Sequence, residues 1–452
     1  MASGERDLTR GSVWRQVLAY AMPLVASSLL QALYSMVDTV IAGHFAGSAA
    51  ISAINNSGQI LNILTKIAIG ITTGGNIIIG QYYGAKEHGR LGEASGTLLS
   101  LSLLLGAATA VGLYAGAYPL LGLLGAPAME QSVAYLRICA VGMVFVFGYN
   151  ALSAELRGVG DSRTAMIYNL TANVVNVIFN YLLIYGNFGF PRLEVAGAAI
   201  ATVIGIVVAF IMAFVVLLRG KRYLWLNLKE KFTFDRVILS NIFLIGIPSM
   251  FEQLVLRIGL ISYTRIAVSL GTIAYATHQV CLNIAGLSFM PGQAITAATT
   301  TLTGQCLGKK RTDMALGYNR CAQASAVIIG FICCAVFFFL GEQITRLYSN
   351  DAQVVVLGGQ VMRLIALYQP LQALQFAMSG ALQGAGDTKA TAAIMCLTVM
   401  IIRPVFAHVA INTFNLGLMG AWYAMAADWV VRSMLILLRY LSGKWKRIKL
   451  KS

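Results

Sequence analysis

The chain contains 452 residues, of which 58% are hydrophobic and only 11% are charged, and its formal net charge is +16. Because soluble domains carry about 25% charged residues, this composition excludes an ordinary soluble enzyme or binding domain and is typical of a membrane protein. The seven cysteines are odd in number and form no C-x-x-C pair, so we expect no disulfide framework and no metal centre built from them.

Twelve apolar segments follow one another along the chain. Each is long enough to cross a bilayer, which takes about 20 residues in a helix. No short apolar leader with a small-residue cleavage site precedes the first segment, so we expect that segment to remain as a helix. We predict an all-α integral membrane protein with helices at residues 16–44, 51–79, 94–117, 132–154, 164–186, 194–218, 240–268, 273–303, 319–340, 356–381, 391–412 and 417–440.

The second half of the sequence repeats the first, at an offset of 223 to 226 residues. Since each half contains an even number of helices, we expect two pseudo-symmetric six-helix lobes of like orientation. We assign 1–218 to the first lobe, 219–239 to a cytoplasmic loop, and 240–452 to the second lobe and a basic tail. The repeated landmarks are Pro23 and Pro248, Gly80–Lys86 and Gly304–Lys310, Leu156–Arg163 and Leu382–Lys389, and Gly197–Ala198 and Gly420–Ala421.

Most of the 33 basic residues lie at the two termini and in alternate loops. By the positive-inside rule this distribution places both termini in the cytoplasm, with the chain passing many times through the cell membrane. The positive charge then indicates the topology, and the basic residues are expected to contact anionic lipid headgroups. Nucleic acid is not an expected partner.

Asp38 in segment 1 is an acid well inside an apolar helix. Pro23, fifteen residues earlier, should kink that helix. A buried charge of this kind is expensive and usually faces a bundle interior or an aqueous cavity. Asp38 is then either an acid that binds a proton or metal cation, or a structural carboxylate that caps a neighbouring helix.

Segment 5 carries four asparagines at steps of 4, 3 and 4 residues, which places them on one face of a helix. This face should point inward, where the amides either line a pathway and coordinate an ion or join helices through hydrogen bonds. They are Asn169, Asn173, Asn176 and Asn180. Segment 2 repeats the same spacing with Asn55, Gln59, Asn62 and Lys66.

Lys66 lies near the middle of segment 2 and cannot easily reach the membrane surface. It therefore requires a wet cavity or a carboxylate partner. Asp38 is one candidate partner.

The second half contributes its own polar residues. Glu252 follows Pro248 by one helical turn, and Tyr263 occupies the position that Asp38 occupies in the first half. Further polar candidates are His278, Asn283 and Gln372. For Asp428 we favour an ion pair with an embedded arginine, of which Arg403 and Arg432 are examples.

Two Gly-x-Gly-Asp turns follow segments 4 and 10. We interpret them as helix ends at which Asp161 and Asp387 cap the next helix. Neither has the strand or the lysine of a phosphate-binding loop. We also expect Glu155 to form an interfacial ion pair with Arg157.

Five motifs are spread over the whole chain. They are VDTVIAG at Val37–Gly43, GQYYGAK at Gly80–Lys86, LRGVGD at Leu156–Asp161, VAGAAIAT at Val195–Thr202 and GIP at Gly246–Pro248. Together with the twelve duplicated segments they make the chain similar to the multidrug and toxic compound extrusion (MATE) family. The resemblance implies a V-shaped, two-lobe transporter that exports organic compounds in exchange for H⁺ or Na⁺.

The resemblance also implies a cation site in the first lobe, at Asp38, Asn176, Asn180 and Thr202. One branch of the family carries an aspartate where Asn180 stands, so this chain has one acid fewer there. A Na⁺ site at Asp38 and Asn180 and a proton on Asp38 both stay open.

Another branch of the family uses a segment 7 glutamate and a segment 10 aspartate. Here Glu252 stands about one turn earlier, and Gln372 lies near the acidic position. Residues expected to line the substrate pathway are Asn55, Gln59, Asn62, Lys66, Asn173, Glu252, Tyr263, His278, Asn283 and Gln372. The expected hinges are Pro23 and Pro248.

We therefore predict a secondary active antiporter that works by alternating access of two lobes. Its expected partners are a small organic substrate of cationic or amphipathic character, a coupling cation and membrane lipids, and it acts as a monomer without a cofactor. A flippase for lipid-linked precursors is the alternative, because Lys66, Arg257 and Arg403 could make a cationic cavity. The sequence contains no H-E-x-x-H, paired-aspartate or nucleophile motif, so we do not expect an enzyme.

Overall fold

The computed structural model describes residues 13–45, 47–123, 128–218 and 235–448, with side chains for residues 14–31, 53–123, 128–186, 188–218 and 235–448. Within these residues the chain folds into twelve long helices. They are α1 (Val13–Phe45), α2 (Gly47–Ala85), α3 (His88–Leu123), α4 (Met129–Gly158), α5 (Ser162–Tyr185), α6 (Glu194–Leu218), α7 (Arg236–Ser269), α8 (Thr272–Gly308), α9 (Thr312–Tyr348), α10 (Ala352–Gly384), α11 (Thr388–Thr413) and α12 (Gly417–Leu441).

Each helix corresponds to one predicted segment, in the same order. Within the described residues eleven of them, α2 to α12, are long and apolar enough to cross a membrane. Several extend beyond the predicted ends; α9, for example, covers Thr312–Tyr348 although the apolar segment covers 319–340. A helix continues into the headgroup region with polar residues, so hydropathy marks only its middle.

Helix α11 is not a regular α-helix. Thr398–Ile402 and Val409–Thr413 are π-helical turns on either side of a short α-helical stretch. Pro404 follows the first of these turns, and a proline inside a helix removes a backbone donor and disturbs the local hydrogen-bond pattern. A π turn inserts one extra residue, so the register between the two halves changes along α11.

The change in register is visible where α5 meets α6 and where α11 meets α12. A Cβ atom on Gly197 would lie 2.7 Å from the carbonyl oxygen of Leu183, and one on Gly420 would lie 3.1 Å from that of Ala410. Gly197 and Gly420 are repeat partners at an offset of 223, whereas Leu183 and Ala410 are 227 apart. The first π turn therefore raises the offset along α11 from 226 to 227.

The chain divides into two compact units. The first contains Ala26–Met250, and the second contains α1 up to Val25 together with the chain from Phe251 onward. Both boundaries fall two residues after a proline, Pro23 in α1 and Pro248 in α7.

This division differs from the boundary predicted at 219–239, most of which (219–234) lies outside the described residues. The first part of α1 packs in the second unit, where the Tyr20 hydroxyl lies 3.1 Å from Thr301 Oγ1. The first part of α7 packs in the first unit, where Gly74 leaves room for the Ile242 carbonyl. The predicted boundary was placed at a polar loop, which composition can identify. Composition cannot show that the two parts of one continuous helix pack in different units.

The duplication is reproduced in the packing of each unit. A Cβ on Gly158 would lie 3.0 Å from the carbonyl oxygen of Asn76, and one on its repeat partner Gly384 would come still closer to the carbonyl oxygen of Thr300. In both units this close approach packs the end of the fourth helix (α4 or α10) against the second helix (α2 or α8). The predicted pseudo-symmetric arrangement is confirmed at this contact.

Because Gly384 sits against backbone, Gly384→Ala should destabilise the protein by about 1–3 kcal/mol through overpacking. Gly286, also inside a helix of the second unit, has no neighbouring atom within 4 Å of the place that a Cβ would take, so Gly286→Ala should be neutral or slightly stabilising. Thermal unfolding of the purified variants in detergent measures both. Equal melting temperatures for the two variants would contradict the close approach at Gly384.

Candidate functional site

A hydrogen-bonded cluster joins α5 and α6 in the first unit. Asn180 Nδ2 donates to Asn176 Oδ1 at 2.8 Å, and Asn176 Nδ2 donates to Thr202 Oγ1 at 3.1 Å. The hydroxyl of Thr202 in turn donates to the Ala198 carbonyl at 3.0 Å. Asn176 and Asn180 are 3% and 0% exposed. Amide, hydroxyl and carbonyl oxygens of this kind are ligands for hard cations, and the cluster brings together three residues of the predicted cation site.

A glycine on α6 makes this cluster possible. A Cβ on Gly205 would lie 2.7 Å from the carbonyl oxygen of Ala172 and 3.2 Å from the Cβ of Asn176. The two helices therefore approach closely at this level. That approach places Thr202, one turn earlier on α6, within hydrogen-bonding distance of Asn176.

The other half of the asparagine face forms a separate pair. Asn173 Nδ2 donates to Asn169 Oδ1 at 3.2 Å, and both side chains are half-buried. The four asparagines thus act as two hydrogen-bonded pairs, of which Asn176 and Asn180 form the more deeply buried one.

The polar face of α2 is more open. Asn55, Gln59 and Asn62 are exposed and Lys66 is half-buried. Asp38 belongs to α1, but its side chain lies outside the described residues, as does any pairing between it and Lys66.

Glu252 in the second unit is buried and held by two other helices. Its carboxylate accepts hydrogen bonds from Thr391 Oγ1 of α11 at 3.0 Å and from Gln383 Nε2 of α10 at 3.3 Å. Sequence reasoning missed both partners. The available signal was the repeat, in which Gln383 occupies the position of Arg157 and Glu252 that of Ser27.

The remaining second-unit candidates are scattered. Tyr263 is buried, with its hydroxyl 3.5 Å from the Arg403 carbonyl. His278 is buried against the Trp422 ring, at 5.4 Å between ring centroids, whereas Asn283 is exposed. Gln372 lines a narrow crevice between α8, α9 and α10.

Asp428 forms the predicted ion pair, with two arginines rather than one. Arg403 contacts Asp428 Oδ2 through both Nε, at 2.8 Å, and Nη2. Arg432 Nη2 lies 2.5 Å from Oδ1 and 2.6 Å from Oδ2, and its Nε donates to Thr398 Oγ1 at 3.1 Å. The exposed fractions are 2% for Arg403, 1% for Arg432 and 0% for Asp428.

Aromatic rings complete the surroundings of both guanidinium groups. Arg403 lies over the ring of Tyr263 at 5.2 Å, and Arg432 lies over that of Trp429 at 4.6 Å. Cation–π contacts of this kind are strongest where water is excluded. The network joins α7, α11 and α12 at the first π turn of α11.

This network occupies the same place in the second unit as the amide cluster in the first. The offset of 223 on the last helix relates Gly205 to Asp428, and the offset of 227 beyond the first π turn relates Asn176 to Arg403. Gly205 contacts Asn176, and Asp428 contacts Arg403. The two lobes therefore share a geometry but differ in chemistry at this position.

Two expectations about acids at the helix ends are wrong. Glu155 is fully buried and accepts a hydrogen bond from Ser95 Oγ at 2.6 Å, and it forms no ion pair with Arg157 among the described residues. Asp161 caps α5 through Thr164, as predicted, whereas Asp387 occupies the N-cap position of α11 but its side chain makes no capping hydrogen bond. Its carboxylate is bound instead by Arg439 of α12, at 2.7 and 3.1 Å.

The part of the chain that the structure describes contains no group of three or more His, Cys, Asp or Glu side chains that could hold a metal ion. The model of the MatE family matches residues 23–182 and 248–409, one stretch in each half of the duplication. The chain belongs to the MatE family. It is thus a member of a family of membrane transporters, the family that its motifs resemble.

Similar proteins cover almost the whole MatE chain. The probable multidrug resistance protein NorM of Thermotoga maritima is 31% identical over 96% of this chain and 93% of its own length. The probable multidrug resistance protein YoeA of Bacillus subtilis is 26% identical over 97% of this chain and 96% of its own. A multidrug resistance MATE family transporter solved in an outward-facing conformation has a TM-score of 0.91 at 22% identity, covering 99% of this chain and 100% of that one.

Proposed function

We propose that this MatE protein is a secondary antiporter that exports organic compounds across the cell membrane in exchange for H⁺ or Na⁺, with both termini in the cytoplasm. The observation that carries the proposal is the buried cluster of Asn176, Asn180 and Thr202. In a family of transporters, a buried set of oxygen ligands beside an acid suits reversible binding of a small cation. Asp38 supplies the acid.

The repeat supports the inclusion of Asp38. Its counterpart in the second unit is Tyr263, which lies over Arg403. Arg403 is in turn the counterpart of Asn176. From this pairing of counterparts we propose that Asp38 and the amide cluster belong to one cation site.

The positions of the prolines support a transport cycle in which α1 and α7 bend. Each helix passes from one packing unit to the other within two residues of its proline. A proline weakens the helix locally and lets the two parts change direction. We propose Pro23 and Pro248 as the hinges of alternating access, with cation binding at Asp38 shifting the balance between states.

The polar face of α2 is the proposed path for substrate. Asn55, Gln59 and Asn62 are exposed in the first unit, and their amides can offer hydrogen bonds to a substrate. Names such as multidrug resistance protein, carried by relatives that cover nearly all of this chain, support organic compounds as substrates. Transport needs no covalent step, so these residues only bind, orient and release, and we propose that one chain is sufficient.

The buried position of Arg403 weighs against a flippase for lipid-linked precursors. That alternative needs a cationic cavity, and Arg403 is buried in contact with Asp428 rather than open to a pathway. Lys66 and Arg257 alone provide much less positive charge for a pyrophosphate.

The decisive experiment uses purified protein in vesicles, with a fluorescent organic cation as substrate and pH and Na⁺ gradients imposed separately. We expect saturable substrate movement that one of the two gradients drives. Protein-free vesicles provide the control. Movement that neither gradient affects, or transport of a lipid-linked sugar in place of the soluble cation, would reject the proposed antiport.

A further inference from the structure

We propose that the second unit contains a closed counterpart of the cation site, in which the guanidinium of Arg403 permanently occupies the place of the exchanged cation. The inference rests on the proposed cation site of the first unit. It assigns Arg403, Asp428 and Tyr263 a role that goes beyond a structural ion pair: they prevent the second unit from binding a coupling ion at this position.

The residues at the positions of the proposed cation site differ systematically between the two units. Counterparts of Asn180 and Thr202, at offsets of 227 and 223, are Ala407 and Met425. Both are buried, and neither side chain offers an oxygen ligand to H⁺ or Na⁺. The counterpart of Asp38 is Tyr263, whose ring faces Arg403. Every proposed ligand of a mobile cation is thus replaced, and the one added acid, Asp428, binds the arginine.

A guanidinium is suited to this role because it cannot leave or lose its charge. Arginine stays protonated under all ordinary conditions, so it cannot exchange with solution protons as a carboxyl can. Arg403 is also fixed on two sides, by the Asp428 carboxylate and by the Tyr263 ring. The site is therefore filled in every step of a transport cycle.

The ion network gives the same conclusion. Arg403 and Arg432 both pair with Asp428, so one buried carboxylate holds two guanidinium groups. Removal of Arg403 would leave an empty volume beside the Asp428 carboxylate, which a free cation of similar size can fill.

The proposal predicts chemical rescue. In an Asp38→Asn background, which removes the first-unit acid, Arg403→Ala should lower the melting temperature by at least about 5 °C. Millimolar guanidinium should restore most of that loss in a saturable way and should not raise the melting temperature of the Asp38→Asn parent. The double replacement Arg403→Ala with Asp428→Asn should show no recovery, because the carboxylate that holds the added cation is missing.

Arg403→Lys provides a variant that keeps a tethered cation. It should fold, melt closer to the parent than Arg403→Ala and ignore added guanidinium. A folded Arg403→Ala protein that responds to neither guanidinium nor Na⁺ would overturn the inference, as would an equal response in the variant that lacks Asp428.

A second measurement does not depend on the stability of Arg403→Ala. With a single open site per chain, transport by the wild-type protein should depend on the coupling ion with a Hill coefficient of about 1. A coefficient near 2 would overturn the closed second site. If instead Asp38→Asn keeps its full ion dependence, the proposed first-unit site is wrong, while guanidinium rescue would still establish the filled position at Arg403.

Discussion

Asp38→Asn is expected to abolish ion-driven export while the protein still folds and reaches the membrane. The replacement keeps the size and the hydrogen-bonding capacity of the side chain but removes its charge. A neutral amide neither takes up a proton nor neutralises Na⁺, so the gradient no longer biases one conformation over the other. The remaining oxygen ligands of Asn176, Asn180 and Thr202 carry no net charge to replace it.

The expected effect on gradient-driven uptake into vesicles is at least tenfold, which corresponds to about 1.4 kcal/mol of lost coupling. Substrate binding without a gradient should fall much less. Glu342→Gln is the matched control, since it also removes one carboxylate but at an exposed position beside Arg346. Unchanged ion dependence in Asp38→Asn would remove Asp38 from the coupling site.

The helices were predictable because each depends on a local property. Residues 194–218 are so uniformly apolar that the predicted segment has the same ends as α6. The asparagine face of α5 was equally visible, because a spacing of 4, 3 and 4 residues fixes which side chains share a helix face. The sequence therefore predicted that Asn176 and Asn180 act together.

Contacts between distant residues were not predictable in the same way. The partners of Glu252, Gln383 and Thr391, lie 131 and 139 residues further along the chain. The register of α11 also depends on a π turn that hydropathy does not reveal, although Pro404 marks the disturbance. An alignment of the two halves that omits this one-residue shift does not pair Arg403 with Asn176. It therefore does not show that the ion network and the amide cluster occupy equivalent positions.

Asp428→Asn should produce the largest loss of stability of any single replacement considered for this protein. Asp428 is the carboxylate on which two buried guanidinium groups converge. Its removal leaves the buried guanidinium groups of Arg403 and Arg432 close together without their shared carboxylate, and breaking a buried pair in this way costs about 3–5 kcal/mol. We expect a large fall in the melting temperature of the purified protein, together with reduced yield from membranes.

Asp313→Asn is the matched control, because Asp313 pairs with Arg311 at an exposed position. No measurable change in the melting temperature is expected there.

A second replacement separates lost charge balance from lost packing. Arg403→Gln combined with Asp428→Asn removes one positive and one negative charge, so a single guanidinium stays unpaired in place of two. The double variant should therefore melt at a higher temperature than Asp428→Asn alone, although it carries more changes. Such non-additivity is expected for groups in one network. Additive losses of stability would mean that the network stabilises the second unit through packing. They would also mean that the charge attraction between Arg403 and Asp428 contributes little.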